Sequence, residues 1–316
     1  MKIYLTGSTG FIGTHLITQL LNLSHKVFAP IRNFKFNQKN FHKNLKLLNI
    51  ENTEKKIDYF ENLGQVDCLI HCAARSHVMK DKNKDPLNAY REINVEKTKK
   101  LAEAAAVHGI KRFIFLSSVK VNGEKTDGSN NFNYNDTPKP EDFYALSKFE
   151  AEKALWEISI RTGLEVTIVR LPLVYGYGVK GNLKRLIKLV RLGIPLPLSL
   201  IQNQRSMIGI DNLVDLLIKC IVHPNAAGKT FLVSDGKDLS TPNLINHIST
   251  SMGSSSRLFP FPIFLLKFIF TIIGKKKEID RLTDSLKLDS DHIKRALNWT
   301  PPVNVEEGIR RMVQGK

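Results

Sequence analysis

The sequence predicts an α/β protein, a doubly wound parallel sheet with helices on both faces, followed by a smaller C-terminal α/β subdomain. Three observations carry this prediction. Along the first half of the chain, short β-prone apolar runs alternate with segments of helical period, the pattern of successive βαβ units. The first strand-to-helix junction holds glycines at positions 7, 10 and 13. Beyond residue 172 the pattern changes to shorter helices and isolated strands, which divides the chain into residues 1–171 and residues 172–316.

Ile3, Tyr4 and Leu5 form a short apolar run, as a buried parallel strand requires, and Ile12, Leu16, Leu20 and Leu23 then recur at helical spacing. Between them stands Thr6-Gly7-Ser8-Thr9-Gly10-Phe11-Ile12-Gly13. Without a Cβ at 7, 10 and 13 the chain can turn, let a pyrophosphate approach the backbone, and pack helix on strand. The helix N-terminus then aims its N–H groups at the anion. The stretch reads as a dinucleotide-binding turn spaced G-x-x-G-x-x-G, where G-x-G-x-x-G is commoner. A bare strand-to-helix connection would use the same residues; the position at the first βα junction favours the ligand.

Residues 26–29 make a second strand. At its end, where a carboxylate would accept hydrogen bonds from a free 2′-hydroxyl, the run is Pro30-Ile31-Arg32-Asn33. Arg32 would pair with a 2′-phosphate, so NADP(H) is favoured with NAD(H) as the alternative; a solvent-facing arginine is the bland reading. Residues 45–50 are a third strand and 67–71 a fourth, which runs into the small residues Ala73 and Ala74. A long helical pattern over 88–106 ends at Gly109, a suitable C-cap. Residues 112–116 form another strand ending at Ser117-Ser118, residues 122–140 a polar loop, and Tyr144 opens a helix to about Thr162 that precedes a strand at 165–170.

Composition narrows the class. With 42% hydrophobic residues and 24% charged, 316 residues can bury a sizeable core. Cys68, Cys72 and Cys220 are odd in number and fit reduced thiols in a cytoplasmic protein; the C-x-x-x-C spacing lacks a second ligand pair, so no metal site is expected. Met1 leads straight into the first strand, and no signal peptide is expected. The net charge of +17 is spread over scattered lysines with no arginine-rich arm or aromatic-interleaved basic motif, so no nucleic-acid partner is expected. It favours an anionic ligand.

Tyr144 and Lys148 are four apart and share a helical face. A tyrosine near its reference pKa of about 10 moves protons poorly at neutral pH. A lysine one turn away and a cationic nicotinamide would stabilise the phenolate, while a serine at a neighbouring strand end would hold the substrate oxygen. Ser118, Tyr144 and Lys148 supply these three roles. Each is an ordinary surface residue alone; their order after a dinucleotide turn makes them a candidate catalytic set.

In these motifs the chain resembles the extended short-chain dehydrogenase/reductases, and within them the nucleotide-sugar epimerases, dehydratases and reductases. The resemblance rests on the glycine turn, His71-Cys72-Ala73-Ala74, Asn94-Val95, Ser117-Ser118, Tyr144-x-x-x-Lys148 and Arg170-x-Pro172-x-Val174-Tyr175-Gly176. Gly181-Asn182, Leu196-Pro197-Leu198, Arg205-Ser206, Asp211-Asn212, Ser234-Asp235-Gly236 and Trp299-Thr300-Pro301-Pro302 resemble a group acting at C4 of UDP-N-acetylhexosamines. Tyr177 departs from a usual proline, and Asn49 or Glu51 from a usual aspartate. The resemblance implies a Rossmann domain whose cofactor contacts include Thr6, Gly7, Thr9, Gly10, Phe11, Ile12, Gly13, Arg32, Ala73, Ala74, Asn94, Tyr144 and Lys148. It implies a UDP-sugar held by Asn182, Leu196, Arg205 and Arg281, with His77 and Ser118 near the sugar, a homodimer, and a role in surface polysaccharide or O-antigen precursor synthesis.

Dehydration is disfavoured because Val119-Lys120-Val121 follows Ser118 without an Asp-Glu pair. Between the remaining reactions, Arg32 and the absent carboxylate point to NADPH-dependent reduction of a UDP-4-keto-6-deoxy-N-acetylhexosamine, with 4-epimerisation of UDP-glucose or UDP-N-acetylglucosamine as the alternative. A non-catalytic dinucleotide-binding or RNA-binding relative is a second alternative. Residues 258–274 are the most apolar stretch, too short for a bilayer that needs about 20 residues. A buried helix is expected there; the competing reading lays residues 258–277 on the inner membrane face, with Lys275, Lys276 and Lys277 on anionic headgroups.

Overall fold

A computed structural model describes residues 1–32, 42–50, 59–60, 62–76, 85–128 and 130–315. The chain runs β1 (Lys2–Thr6), α1 (Phe11–Asn22), β2 (Lys26–Ile31), β3 (Leu45–Asn49), β4 (Cys68–His71), α2 (Pro86–Arg91), a π-turn (Glu92–Glu96) and α3 (Lys97–Val107). It continues through β5 (Arg112–Ser118), α4 (Phe143–Thr162), β6 (Glu165–Leu171), β7 (Leu173–Tyr175), α5 (Gly181–Arg191), β8 (Met207–Gly209), α6 (Ile210–Val222) and β9 (Lys229–Leu232). The last helices are α7 (Thr241–Ser251), α8 (Ile263–Ile272), α9 (Lys276–Thr283), α10 (Asp291–Leu297) and α11 (Val305–Gln314).

Seven parallel strands lie in the order β3-β2-β1-β4-β5-β6-β9, the doubly wound sheet the sequence predicts. Alternation of side chains decides what each face buries. Ile3, Leu5, Cys68, Ile70, Ile114 and Leu116 point to one face, covered by α1 and α6. Tyr4, Leu69, Phe113 and Phe115 point to the other, covered by α3 and α4. Because the chain leaves β1 for β2 and returns to β4 on the other side, the strand order reverses between β1 and β4, where ligands of such sheets bind.

After residue 172 the chain interleaves. β9 joins the main sheet, and Leu213, Leu217, Ile293 and Leu297 pack into its first core. A separate core gathers Leu183, Met207, Leu244, Ile248, Ile279 and Ile309 from α5, β8, α7, α9 and α11, beside the two-stranded sheet β7-β8.

Two expectations change. The helical pattern over 88–106 is interrupted by the π-turn at 92–96, which brings Asn94 inward. The apolar stretch at 258–274 is not a buried helix: in α8 only Leu266 is buried, while Phe264, Phe268 and Ile272 are 71, 63 and 69% exposed. Its apolar residues go all round the helix, and only one side finds a core to enter.

Candidate active site

The glycine turn is shaped by close approach. Gly7 has φ +69°, and a Cβ there would come within 2.6 Å of the Ala73 backbone nitrogen. A Cβ on Gly13 would lie 2.2 Å from the Gly7 carbonyl oxygen, so only glycine lets α1 pack this tightly on the turn. Gly10 is the N-cap of α1 and no side chain among the described residues caps the helix, which leaves first-turn N–H groups for an anion. Ser8 Oγ is buried beside this turn with no hydrogen-bond partner among the described residues. A cradle that a Cβ would fill, an uncapped helix start and an orphaned hydroxyl fit a dinucleotide pyrophosphate.

The other predicted cofactor residues divide. Phe11 and Ile12 pack their side chains on the core of the sheet, so what they present outward is backbone, and Thr9 is exposed. Thr6 is occupied: its hydroxyl bonds His71 Nδ1 at 2.6 Å and accepts from the Ala73 N–H at 3.3 Å. Asn94 is occupied too, accepting from Arg75 N–H at 2.7 Å and donating to the Arg75 carbonyl and to Ser147 Oγ. In this structure both residues fix the 72–75 loop, with their polar side-chain atoms bonded within the protein. Ala73 and Ala74 lie on that loop, Ala74 exposed, and Arg32 is exposed just past β2. Asn33, Glu51 and His77 lie outside the described residues.

The candidate catalytic residues converge. Asp142 caps α4 by accepting from the Ala145 N–H at 2.7 Å, and Lys120 Nζ holds the same carboxylate at 2.7 Å, which fixes the start of the helix carrying Tyr144. Burial pushes the Tyr144 phenol up to about 12, aided by the Asp142 charge and Tyr90, while a hydrogen bond with Ser118 pulls it down. Lys148 is buried and its ammonium is pulled down to about 7 by burial, against the opposing fields of Glu152 and Cys72. Burial and the Lys148 charge hold His71 down at about 3, a neutral imidazole bonded at its other nitrogen to Thr98. Lys148 is thus coupled to Cys72 and His71, beside the loop that touches Gly7.

Sequence reasoning missed the support beneath this set. Glu152 is buried in an ion pair with Arg170 at 2.7 Å, Ser117 Oγ donates to Glu152 at 2.5 Å, and Arg170 donates to Asn122 Oδ1 at 3.0 Å. The signal was the spacing of Tyr144, Lys148 and Glu152, each one turn further along one face of α4.

Among the residues expected to hold a substrate, Asn182 is exposed on the first turn of α5. Arg205 donates to the Asp284 carbonyl at 3.0 Å; burial lowers its pKa and the nearby Arg281 charge adds to the lowering, so two guanidiniums share one side of this subdomain. The side chain of Leu196 is buried in the C-terminal core, and its backbone pairs with Arg257 and Phe259. Tyr175, in the motif after Arg170, donates to Asp235 at 2.6 Å, and Asp235 also accepts from Gly209 N–H and Asn212, tying β7, β8 and α6 together.

The model of the NAD dependent epimerase/dehydratase family matches residues 3–234. The chain belongs to that family. Within it, the chain is 42% identical over 315 residues to a UDP-glucose 4-epimerase of Vibrio cholerae, covering 99% of this chain and 94% of that protein. It is 23% identical over 328 residues to an N-acetyl-alpha-D-glucosaminyl-diphospho-ditrans,octacis-undecaprenol 4-epimerase of Escherichia coli O157:H7, covering 99% and 94%. Among solved structures, the UDP-glucuronic acid 4-epimerase of Bacillus cereus in complex with UDP-glucuronic acid and NAD aligns with a TM-score of 0.78 at 20% identity, over 99% of this chain and 98% of that one. The protein is therefore an extended short-chain dehydrogenase/reductase, an NAD-dependent enzyme of the nucleotide-sugar epimerase group.

Proposed function

We propose that the protein is a 4-epimerase of UDP-hexoses that works with retained NAD, with UDP-glucose and UDP-N-acetylglucosamine as its substrates. The end-to-end identity of 42% with the Vibrio cholerae UDP-glucose 4-epimerase carries this reading. The Escherichia coli relative, named for an N-acetylglucosaminyl substrate, supports the N-acetyl sugar. The 4-ketoreduction expected from the sequence rests on Arg32 as a 2′-phosphate partner, and an exposed arginine past β2 is equally served by solvent. Epimerisation consumes no reductant and needs no special residue there.

Backbone N–H groups of residues 10–13 and the 73–74 loop would hold the dinucleotide, with Lys148 at its nicotinamide ribose. A bound nicotinamide would supply a reversible hydride acceptor for C4 of the sugar. Ser118 would hold the C4 oxygen while Tyr144 accepts the hydroxyl proton, leaving a ketone; after the ketone turns its other face, Tyr144 returns the proton to the oxygen. The phenol at about 12 needs a nearby positive charge to serve as a base at neutral pH. Lys148 supplies it, and Glu152 opposes the burial that would neutralise Lys148. Arg205, Arg281 and Asn182 would face the diphosphate.

The test is incubation of purified protein with UDP-glucose and, separately, UDP-N-acetylglucosamine, without added reductant, followed by proton NMR. Approach to a gluco/galacto mixture with either sugar is expected. No interconversion of either, with NADPH consumed on a UDP-4-keto-6-deoxy-N-acetylhexosamine, would restore the ketoreductase.

A further inference from the structure

The fold leaves one face of α8 uncovered. Ile263, Leu266 and Phe270 turn toward the C-terminal core. Opposite them Phe264, Phe268 and Ile272 stand one turn apart and more than 60% exposed, with exposed Leu265, Ile269 and Ile273 beside them. Single exposed apolar residues need no explanation, but five on one short helix, with Ile273 just past its end, form a patch of the kind that marks an interaction surface.

Charge selects the occupant. Directly after the helix come Lys275, Lys276 and Lys277, all exposed. Lys276 reaches Asp280 only at 4.0 Å, and among the described residues no carboxylate lies within ion-pair distance of Lys275 or Lys277. Residues 258–274 contain no Asp or Glu. A second copy of this face would bring its own three lysines along with its apolar residues, and of the two carboxylates that follow them, Glu278 and Asp280, the latter already faces Lys267 and Lys276. An anionic bilayer offers both an apolar boundary and negative headgroups. Spanning is excluded for α8, since no helix among the described residues is long and apolar enough to cross a membrane.

We infer that α8 and the three lysines after it dock the protein on an anionic membrane surface, the helix lying in the interfacial plane with its Phe264, Phe268 and Ile272 side in the lipid. The substrate subdomain, which carries α8 together with Arg205 and Asn182, then works against the bilayer.

The test is flotation of the full chain with vesicles of phosphatidylglycerol and phosphatidylethanolamine, and with phosphatidylcholine alone. Wild type floats with the anionic vesicles only. A Phe264→Ser/Phe268→Ser variant and a Lys275→Gln/Lys276→Gln/Lys277→Gln variant each bind at least tenfold more weakly, the lysine variant by roughly a hundredfold at low salt. Both keep wild-type melting temperature and turnover of a soluble sugar nucleotide. Wild type remaining in the soluble fraction with anionic vesicles, or equal binding by the variants, overturns the inference. So does a dimer that dissociates in the phenylalanine variant without vesicle binding, which would assign the face to a second copy.

Discussion

The ammonium of Lys148 lies 3.8 Å from the centroid of the Phe115 ring, in a buried position with no carboxylate within ion-pair distance among the described residues. The ring face offers a weak partner in place of water. Burial therefore lowers the lysine pKa from 10.5 to about 7 in the folded protein. Below about pH 7 both folded and unfolded chains carry the proton and the folded state bears the full penalty; between about 7 and 10.5 the unfolded chain holds more protons, so stability rises with pH. Lys148→Met should stabilise the cofactor-free protein by on the order of a few kcal/mol at pH 6.5, less at pH 9, and abolish turnover. Thermal melts at both pH values check this. An equal gain at each would contradict the buried cation.

Glu152 carries the next expectation. Neutralising it leaves the Arg170 guanidinium buried beside neutral acceptors alone among the described residues, the new amide and Asn122 Oδ1, and breaking one half of a buried pair costs about 3–5 kcal/mol. Glu152→Gln should lower the urea midpoint accordingly. Because the lost anion had raised the Lys148 pKa, activity that needs the ammonium should fall away at lower pH than in wild type. An unshifted pH profile of kcat would show that Glu152 acts on stability alone.

Gly10 and Gly13 should separate binding from folding. A Cβ at Gly13 meets a carbonyl oxygen at 2.2 Å, so Gly13→Ala must open the turn and is expected to cost about 1–3 kcal/mol. A Cβ at Gly10 lies 3.1 Å from the same oxygen at an ordinary φ of −80°, so Gly10→Ala should melt within a few degrees of wild type. It should nevertheless lose dinucleotide affinity, because the new methyl stands at the uncapped helix start. Calorimetric titration with NAD distinguishes the two; unchanged affinity in Gly10→Ala would remove the helix start from the pyrophosphate site.

Tyr144→Phe deletes the proton carrier and keeps the ring that meets Tyr90 edge-on at 6.4 Å. Turnover should drop by roughly 10²–10⁴ with NAD affinity little changed. Near-normal turnover would assign the proton transfer to another group.

What the sequence made legible follows physical type. The glycine turn and the Ser118, Tyr144 and Lys148 set could be read because backbone approach and one-turn spacing are written in local order. The interior duties of Thr6 and Asn94 could not, since they depend on contacts with His71, Arg75 and Ser147 far along the chain, and on a π-turn that a helical period does not announce. The burial of Leu196 could not be read either, because an apolar residue beside prolines looks alike in a loop over a ligand and in a core. The side of α8 that faces out was equally hidden, because apolar residues surround the helix and only the position of the C-terminal core decides which are covered.

The central claim is that one C4 hydride leaves the sugar and returns to it within a single binding event, in a site where Tyr144, Ser118 and Lys148 act together. The direct measurement uses UDP-N-acetylglucosamine deuterated at C4, turned over in the presence of excess unlabelled NADH, with the product examined by mass spectrometry and NMR. The account predicts UDP-N-acetylgalactosamine that keeps its deuterium at C4. Product with hydrogen in that position, or no product, would contradict it.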